Sequence, residues 1–453
     1  MIERFIPILL MIYAPVQLAS VYFPSSLLDL AVSAMSGLIV ALLVWRMHGA
    51  IRWTSAILLV LGTVMLAANG ATAEGFAQAL RFHAGIATLF IVTPLLSLPI
   101  YQGKFEQAMK EVLLKYGRKA TGYSFFAMLL NCLTAFILNM GALILVHSLT
   151  KRSGEPWRTI QGKAMMRGYG STVAVSPYFV SMGIIMLYFQ CSWFELVRVT
   201  GPVVLAWFLL HYLDMRLKFG NRDLLAEEGT SADRDPKPVS RESKIKLLQL
   251  GVAALVFTGI LLAMESNTAH SMVTLVCTAS LIAPVAGFML LRQTRALLPV
   301  LNQSYLRGRL PMVSKEVALM LSVGYFSYPF QESGAAGRLL SLLPADHQAG
   351  WLVLAVMVAV FYVLTVLGFH PLVVVSMILS IVVQDDFGLP PGVIPAVILC
   401  AWGLALMISP FSGSAFLLSG LLGTSSFTIS LLWNWKFVIA GTLAMFGVVY
   451  LVA

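Results

Sequence analysis

Long apolar runs dominate this sequence and limit what it can fold into. Many of them extend over about 18 residues or more, the length that an α-helix needs to cross the hydrocarbon core of a bilayer. The composition agrees, because only 11% of the residues are charged and 59% are hydrophobic, whereas soluble domains carry roughly 25% charged residues. The sequence therefore predicts an all-α polytopic membrane protein.

Three landmarks occur twice in the same order, which indicates an internal duplication. The first set has the sequences LPIYQ, LNMGA and VSPY, and the second has YPFQ, LGFHP and ISPF. The corresponding pairs Pro99 and Pro329, Leu138 and Leu367, and Pro177 and Pro410 lie 230, 229 and 233 residues apart. Such regular offsets are typical of transporter folds that are built from two structural repeats.

Charged residues lie between the apolar runs and set the predicted orientation. The net charge of +10 follows the positive-inside rule and not a basic domain, so we expect no nucleic-acid partner. A basic loop near Arg46 and Arg52 predicts a cytoplasmic N-terminus and, with the spans below, an external C-terminus in the cytoplasmic (inner) membrane of a prokaryote. The four scattered cysteines predict neither disulfides nor a metal site.

Two apolar runs are predicted to be re-entrant hairpins rather than single spans. The run at about 121–149 precedes a basic segment, 150–167, which a single crossing would place outside the cell. A hairpin that turns near Asn139 and returns to the cytoplasm removes this conflict. By the duplication, the run at about 350–383 is a second hairpin that turns near Gly368 and enters from outside, where its exit at Asp385 is acidic.

The resulting architecture has eleven spans and two opposed hairpins. The spans are predicted at about 5–23, 26–45, 51–69, 82–100, 168–190, 194–213, 247–264, 271–291, 316–330, 393–420 and 435–453, with an interfacial helix at 103–119. Those at 168–190 and 393–420 are broken. As domains, we predict an N-terminal span (1–25), a first inverted repeat (26–213), a cytoplasmic linker (214–246) and a second inverted repeat (247–453).

The Ser-Pro pairs in the broken spans predict helices that stop and restart within the membrane. Serine is a good N-cap and proline suits the first helical position, so Ser176 and Ser409 are expected to cap restarted half-helices. The N-terminus of such a half-helix favours an anion, and the carbonyl end of the preceding half favours a cation. The alternative is a simple kink, but two kinks in corresponding positions beside two hairpins favour a site.

The candidate site follows from these four breaks. Solute-binding residues are expected at Asn139, Met140, Gly141, Ser176, Pro177, Gly368, Phe369, His370, Ser409, Pro410, Ser412 and Gly413. Ion-coupling residues are expected at Asn139, Ser171, Thr172, Gly368 and Ser414. His370 is the main titratable candidate at the breaks, and two roles are open for it: contact with solute or proton, and structural hydrogen bonding.

The order of span, interfacial helix, hairpin and broken span resembles the ion transporter superfamily, and within it the divalent anion:sodium symporters. The segment from Phe326 to Leu340, FSYPFQESGAAGRLL, is similar to the Glu-Ser-Gly segment of that superfamily, and the likeness covers about residues 26–453. Family hairpin tips carry Ser-Asn-Thr, and family broken spans carry Gly-Thr-Pro-Pro-type turns. Here the first tip keeps only Asn139, and the second has the sequence Gly-Phe-His-Pro.

We therefore expect a secondary active transporter, and not an enzyme, that moves a small anionic solute by alternating access. Na⁺ is the favoured coupling ion over H⁺, because no Asp or Glu lies near the breaks; no other cofactor is expected. Besides the solute and the bilayer, a second copy of the chain is a candidate partner. Two other classes stay open: a membrane-embedded envelope enzyme and a membrane subunit of a larger transport complex.

Overall fold

A computed structural model describes residues 2–47, 50–99, 105–116, 119–150, 154–220, 239–334, 350–382 and 387–452. Every regular element within these ranges is helical, which confirms the predicted fold class. Ten of the described helical segments are long and apolar enough to cross a membrane. The predicted outer segment at 331–349 and the acidic exit at Asp385 fall largely outside the described residues.

In the first half, the helices are Ile2–Tyr22, Ser26–Arg46, Ala50–Ala68, Ala73–Arg81, Ala84–Val92, Glu106–Tyr116, Ala120–Leu138, Gly141–Thr150, Trp157–Val173, Val180–Phe189 and Trp193–Phe219, with a 3₁₀ turn at Thr93–Ser97. In the second half, they are Arg241–Asn267, Met272–Leu290, Thr294–Val300, Leu310–Glu332, Gly350–Val366, Pro371–Val382, Val393–Ile408, Gly413–Leu422 and Trp433–Val452, with π-helical turns at Leu301–Arg309 and Thr428–Leu432.

Two helical hairpins and two broken helices organise the interior. Hairpin 1 consists of Ala120–Leu138 and Gly141–Thr150, and hairpin 2 of Gly350–Val366 and Pro371–Val382. Broken helix 1 consists of Trp157–Val173 and Val180–Phe189, and broken helix 2 of Val393–Ile408 and Gly413–Leu422. That the hairpins are re-entrant and opposed, and that the domain boundaries follow the duplication, remain predictions.

Broken helix 2 lies at the centre of the protein and Arg241–Asn267 at its periphery. In their most apolar windows, 89% of the residues of Val393–Leu422 are buried, against 6% for Arg241–Asn267. Broken helix 2 crosses broken helix 1 where Gly403 and Gly170 bring the two backbones together. A Cβ atom on Gly403 would lie 2.4 Å from the carbonyl oxygen of Gly170, so only glycine permits this approach.

The prediction of a loop at 150–167 is wrong for most of that segment, which is helical. Broken helix 1 begins at Trp157, about ten residues before the predicted start. Lys163 and Arg167 are buried in that helix instead of facing water. Their positive charge is accommodated by Asp214 in the helix Trp193–Phe219. The positive-inside rule counts charges and does not consider such internal partners.

The predicted linker at 214–246 is also too long. Trp193–Phe219 continues beyond Asp214, and the next helix begins at Arg241. At the end of the linker, the backbone N–H of Ser240 donates to the Glu111 carboxylate over 2.9 Å. This bond lowers the pKa of Glu111 and joins the predicted interfacial helix, Glu106–Tyr116, to the second half of the chain.

Candidate functional site

The break in broken helix 1 is held by hairpin 1. The hydroxyl of Ser176 donates to the carbonyl oxygen of Phe136, in the first arm of hairpin 1, over 2.8 Å. The same hydroxyl accepts the backbone N–H of Tyr178 over 3.3 Å. Ser176 thus closes a local turn and joins this turn to the hairpin arm.

The break in broken helix 2 repeats this arrangement against hairpin 2. Ser409 donates to the carbonyl oxygen of Thr365, in the first arm of hairpin 2, over 3.0 Å. It accepts the backbone N–H of Phe411 over 3.3 Å. Both the serines and their carbonyl partners correspond through the offsets of the predicted duplication, so the repeated motifs have the same structural role in each half.

The prediction that Ser176 and Ser409 cap the restarted half-helices is wrong. Ser409 is the C-cap of the first half of broken helix 2, and the second half begins at Gly413 with Ser412 as N-cap. In broken helix 1 the second half begins at Val180. The residue at its N-cap position, Phe179, has no side-chain hydrogen bond to the helix. The serine hydroxyls bind the hairpins, so three further residues form the turn before helix geometry resumes.

The tip of hairpin 1 is bound to broken helix 1 through an asparagine. Asn139 has a φ of +51°, a positive value that is uncommon for residues other than glycine. Its side-chain oxygen accepts the Tyr169 hydroxyl over 2.7 Å. Its backbone carbonyl accepts the N–H of Ala142 over 3.1 Å, so the carbonyl expected to bind Na⁺ already has one partner.

The tip of hairpin 2 turns at a glycine and is capped by a histidine. Gly368 has a φ of +103°, which favours glycine strongly. At the start of the second arm, Nδ1 of His370 accepts the backbone N–H of Leu372 over 3.2 Å. This contact gives His370 a structural hydrogen bond, and contact with solute or proton stays a prediction.

Both hairpin tips meet the break of broken helix 2. A Cβ on Gly413 would lie 2.7 Å from Cε of Met140, at the tip of hairpin 1. A Cβ on Gly368, at the tip of hairpin 2, would lie 3.5 Å from the ring of Phe411. With the contact between Asn139 and Tyr169, the structure brings the two tips and both broken helices into one region, which we call the candidate site.

The hydroxyls predicted to bind ions differ in how far they are already engaged. Thr172 donates to the carbonyls of Cys132 and Gly168. Ser412 caps Ala415, contacts two carbonyls and pairs with Ser414 over 3.2 Å. The Ser171 hydroxyl is buried and has no hydrogen-bond partner among the described residues.

The remaining predicted residues lie within or beside the turns. Gly141 begins the second arm of hairpin 1, and Pro177 and Pro410 directly follow the serines of the two breaks. The side chain of Phe369, at the tip of hairpin 2, is half exposed. Gly413 is exposed as well.

Sequence reasoning missed a buried ionic cluster around Arg167, in the first half of broken helix 1. Arg167 is 1% exposed and binds Asp214 over 2.8 Å, Asn434 over 2.9 Å and His211 over 3.1 Å. Its guanidinium also lies 4.2 Å from the ring centroid of Phe437. The cluster joins broken helix 1 to Trp193–Phe219 and to the C-terminal helix, Trp433–Val452.

Two other missed features could have been found from the offsets. Gly170 and Gly403, at the helix crossing, are 233 residues apart, the same separation as Ser176 and Ser409. Tyr169 directly precedes Gly170. Identical residues separated by 233 positions, as in the Ser-Pro pairs, would have indicated the crossing of the two broken helices.

Comparison with solved structures identifies the type of fold. The chain is similar to the YdaH transporter of Alcanivorax borkumensis, whose crystal structure reveals an unusual topology, with a TM-score of 0.52 and 15% identity. The alignment covers 87% of this chain and 96% of that one. The fold of this chain is therefore similar to the fold of that transporter. No protein-family model and no curated protein matches the sequence.

At 15% identity this likeness concerns the fold alone. It agrees with the expected fold class, an all-α polytopic membrane protein with a transporter-like fold.

Proposed function

We propose that this protein is a secondary active transporter of a small, carboxylate-like anion, which works by alternating access and is coupled to Na⁺ or H⁺. The observation that carries the proposal is the meeting of both hairpin tips and both broken helices in the candidate site. Interrupted helices at that depth are tolerated only where they are buried in protein or line a cavity. In transporters, such breaks supply the groups that bind solute and ion.

The restarted half-helices support an anionic solute. The first turns of Val180–Phe189 and Gly413–Leu422 present backbone N–H groups and the positive ends of helix dipoles. Phe179 makes no side-chain cap, and Gly413 is exposed and adds no side chain. A carboxylate can approach such N–H groups closely, which agrees with the sequence resemblance to the divalent anion:sodium symporters.

The hairpins supply the moving parts in this proposal. Each serine of a Ser-Pro break fixes a broken helix to one hairpin arm, so each broken helix and its hairpin move together. A solute held between the tips is then exposed to one side of the membrane at a time. We place the protein in the cytoplasmic membrane of a prokaryote, with its N-terminus inside and with a homodimer as the candidate assembly.

Uptake into proteoliposomes tests the proposal. Purified protein is supplied with labelled mono-, di- and tricarboxylates, and with neutral and cationic solutes of similar size, under imposed Na⁺ or pH gradients. We expect accumulation of at least one carboxylate that requires an ion gradient. Transport of neutral or cationic solutes alone, or no transport of any solute, would contradict the proposal.

Two glycines of one half-helix provide a matched pair of variants. Gly413→Leu places a side chain between the start of the half-helix and Met140, and we expect it to abolish carboxylate uptake. Gly420→Leu lies on the same half-helix, where an added Cβ meets no atom within 4 Å, and it should retain uptake. Equal uptake by the two variants would remove Gly413 from the solute site.

A further inference from the structure

An apolar groove runs along hairpin 1, and the proposed transport does not use it. It has a volume of about 290 Å³ and lies between Glu106–Tyr116, the first hairpin arm, Ala120–Leu138, and the peripheral helix, Arg241–Asn267. Among its described lining residues, only Thr134 has a polar side chain, and its hydroxyl donates to the carbonyl of Leu130 in its own helix over 2.7 Å. Because apolar cavities of this kind stay dry and bind apolar molecules, the lining favours an apolar ligand.

The groove has the length and the opening that a lipid chain needs. Along the hairpin arm its lining extends from Phe126 to Leu138, which at 1.5 Å per residue is about 18 Å. Leu133 lines the groove and is 63% exposed, so this part of the groove is open to the bilayer. On the opposite wall, a Cβ atom on Gly251 would meet no atom within 4 Å. A long chain can therefore enter from the bilayer and lie along the arm.

The peripheral helix is attached to the rest of the protein beyond both ends of the groove. At its N-terminal end, the backbone N–H of Ser240 donates to the carboxylate of Glu111 over 2.9 Å. At the other end, the hydroxyls of Tyr178 and Thr258 pair over 3.0 Å. Tyr178 stands in the turn of broken helix 1, where Ser176 accepts its N–H. The groove is thus a gap between two fixed points and ends beside a turn of the candidate site.

Basic residues stand at the N-terminal end of the peripheral helix. Its first six residues, RESKIK, carry three cations and one acid, and that acid, Glu242, pairs with Lys246 over 2.9 Å. Lys244 is exposed and precedes the lining residues Leu247 and Gly251 by three and seven positions, so the three lie on one face of the helix. An anionic group at this end of the groove therefore meets a positive charge on the face that lines it.

We propose that the groove is a binding site for an anionic phospholipid, with one acyl chain in the groove and the phosphate of its head group beside Lys244. The apolar lining selects the chain, and the basic end selects the charge of the head group. Basic residues beside a membrane helix attract the anionic lipids of the cytoplasmic leaflet, and the sequence predicts Glu106–Tyr116 on that face. The site is separate from the solute site and does not depend on the proposed function.

Native mass spectrometry of the purified, delipidated protein tests the choice of head group. The protein is titrated with phosphatidylglycerol, which is anionic, or with phosphatidylcholine of the same chains, which has no net charge. We expect the wild type to bind one phosphatidylglycerol more tightly than phosphatidylcholine. Lys244→Gln should weaken phosphatidylglycerol binding about fivefold and leave phosphatidylcholine binding unchanged. Equal binding of both lipids by the wild type, or unchanged phosphatidylglycerol binding in Lys244→Gln, overturns the proposal.

Two glycines of the peripheral helix provide a matched pair that tests the place of the chain. Gly251→Leu fills the groove, and we expect it to weaken phosphatidylglycerol binding about tenfold, because the added carbons occupy the space of the chain. Gly259→Leu makes the same change outside the groove, where an added Cβ also meets no atom within 4 Å, and it should bind like the wild type. Loss of binding in both variants, or in neither, overturns the proposal.

Thermal unfolding gives a second readout, because a ligand that binds the folded state raises the unfolding midpoint. Phosphatidylglycerol should raise the midpoint of the wild type and of Gly259→Leu, and have little effect on Gly251→Leu. An equal rise in all three proteins overturns the proposal, as does a peptide mass in place of a lipid on protein purified directly from membranes. Neither assay uses a transported solute, so these results are independent of the proposed function.

Discussion

Loss of Asp214 should destabilise the protein strongly, because two buried cations depend on its carboxylate. Arg167 and Lys163 have side chains that are 1% and 4% exposed, and they lie 2.8 and 3.7 Å from Oδ2 of Asp214. Removing one partner of a buried ion pair costs about 3–5 kcal/mol, because the remaining charge is left uncompensated. Asp214 is 25% exposed, so we expect Asp214→Asn to cost about 3 kcal/mol, the lower end of that range.

Lys218 provides an internal control on the same carboxylate. It pairs with Oδ1 of Asp214 over 3.0 Å, but its side chain is 43% exposed. Exposed pairs of this spacing contribute about 0.3–0.5 kcal/mol, so Lys218→Gln should have a small effect. The double variant Arg167→Met/Asp214→Asn should lose less stability than the sum of its two single variants, because it removes both charges.

Unfolding of the purified variants in mixed micelles, by titration with a denaturing detergent, measures these differences in free energy. A loss of less than about 1 kcal/mol in Asp214→Asn, the upper end of the range for exposed pairs, would contradict a strong buried pair. A loss in Lys218→Gln as large as that in Asp214→Asn would refute it equally. Either result would mean that burial does not set the strength of this cluster.

Three other contacts lead to specific predictions. Gly403→Ala forces the broken helices apart and should lower the free energy of unfolding by about 1–3 kcal/mol in the same assay. Gly447→Ala is the control, because its added Cβ meets no atom within 4 Å and the protein should keep its stability. Ser409→Ala removes the donor to the Thr365 carbonyl and should lower the free energy of unfolding by about 1–3 kcal/mol. An unchanged free energy of unfolding would mean that the hydroxyl does not hold the break to hairpin 2. His370→Asn keeps a side-chain acceptor for the Leu372 N–H, so carboxylate uptake driven by the effective ion gradient should persist in proteoliposomes. Loss of that uptake would favour a role of His370 in contact with solute or proton.

Local patterns predicted the helices and the breaks, because each depends on residues close in sequence. Apolar length placed the membrane helices, and the repeated Ser-Pro pairs located both interruptions. The partners of the two serines could not be predicted, because a carbonyl such as that of Phe136 has no signature in the sequence. As a result, the helix starts at Val180 and Gly413 were predicted three residues too early, at Pro177 and Pro410.

Charged residues in the interior were the least predictable part of the site. Arg167 follows a basic segment, and without knowledge of Asp214 and Asn434 the positive-inside rule assigned it to a loop.

The proposed alternating access requires two hairpins that open to opposite sides of the membrane. Single cysteines at Glu155, after hairpin 1, and at Pro391, after hairpin 2, report this orientation, since both positions are exposed. Cys191 is replaced by serine, because it is the native cysteine that is only partly buried; the other three are buried. In sealed, right-side-out vesicles, an impermeant maleimide should label the cysteine at Pro391 directly and the cysteine at Glu155 only after the membrane is opened. Labelling of both cysteines from the same side would contradict the inverted arrangement.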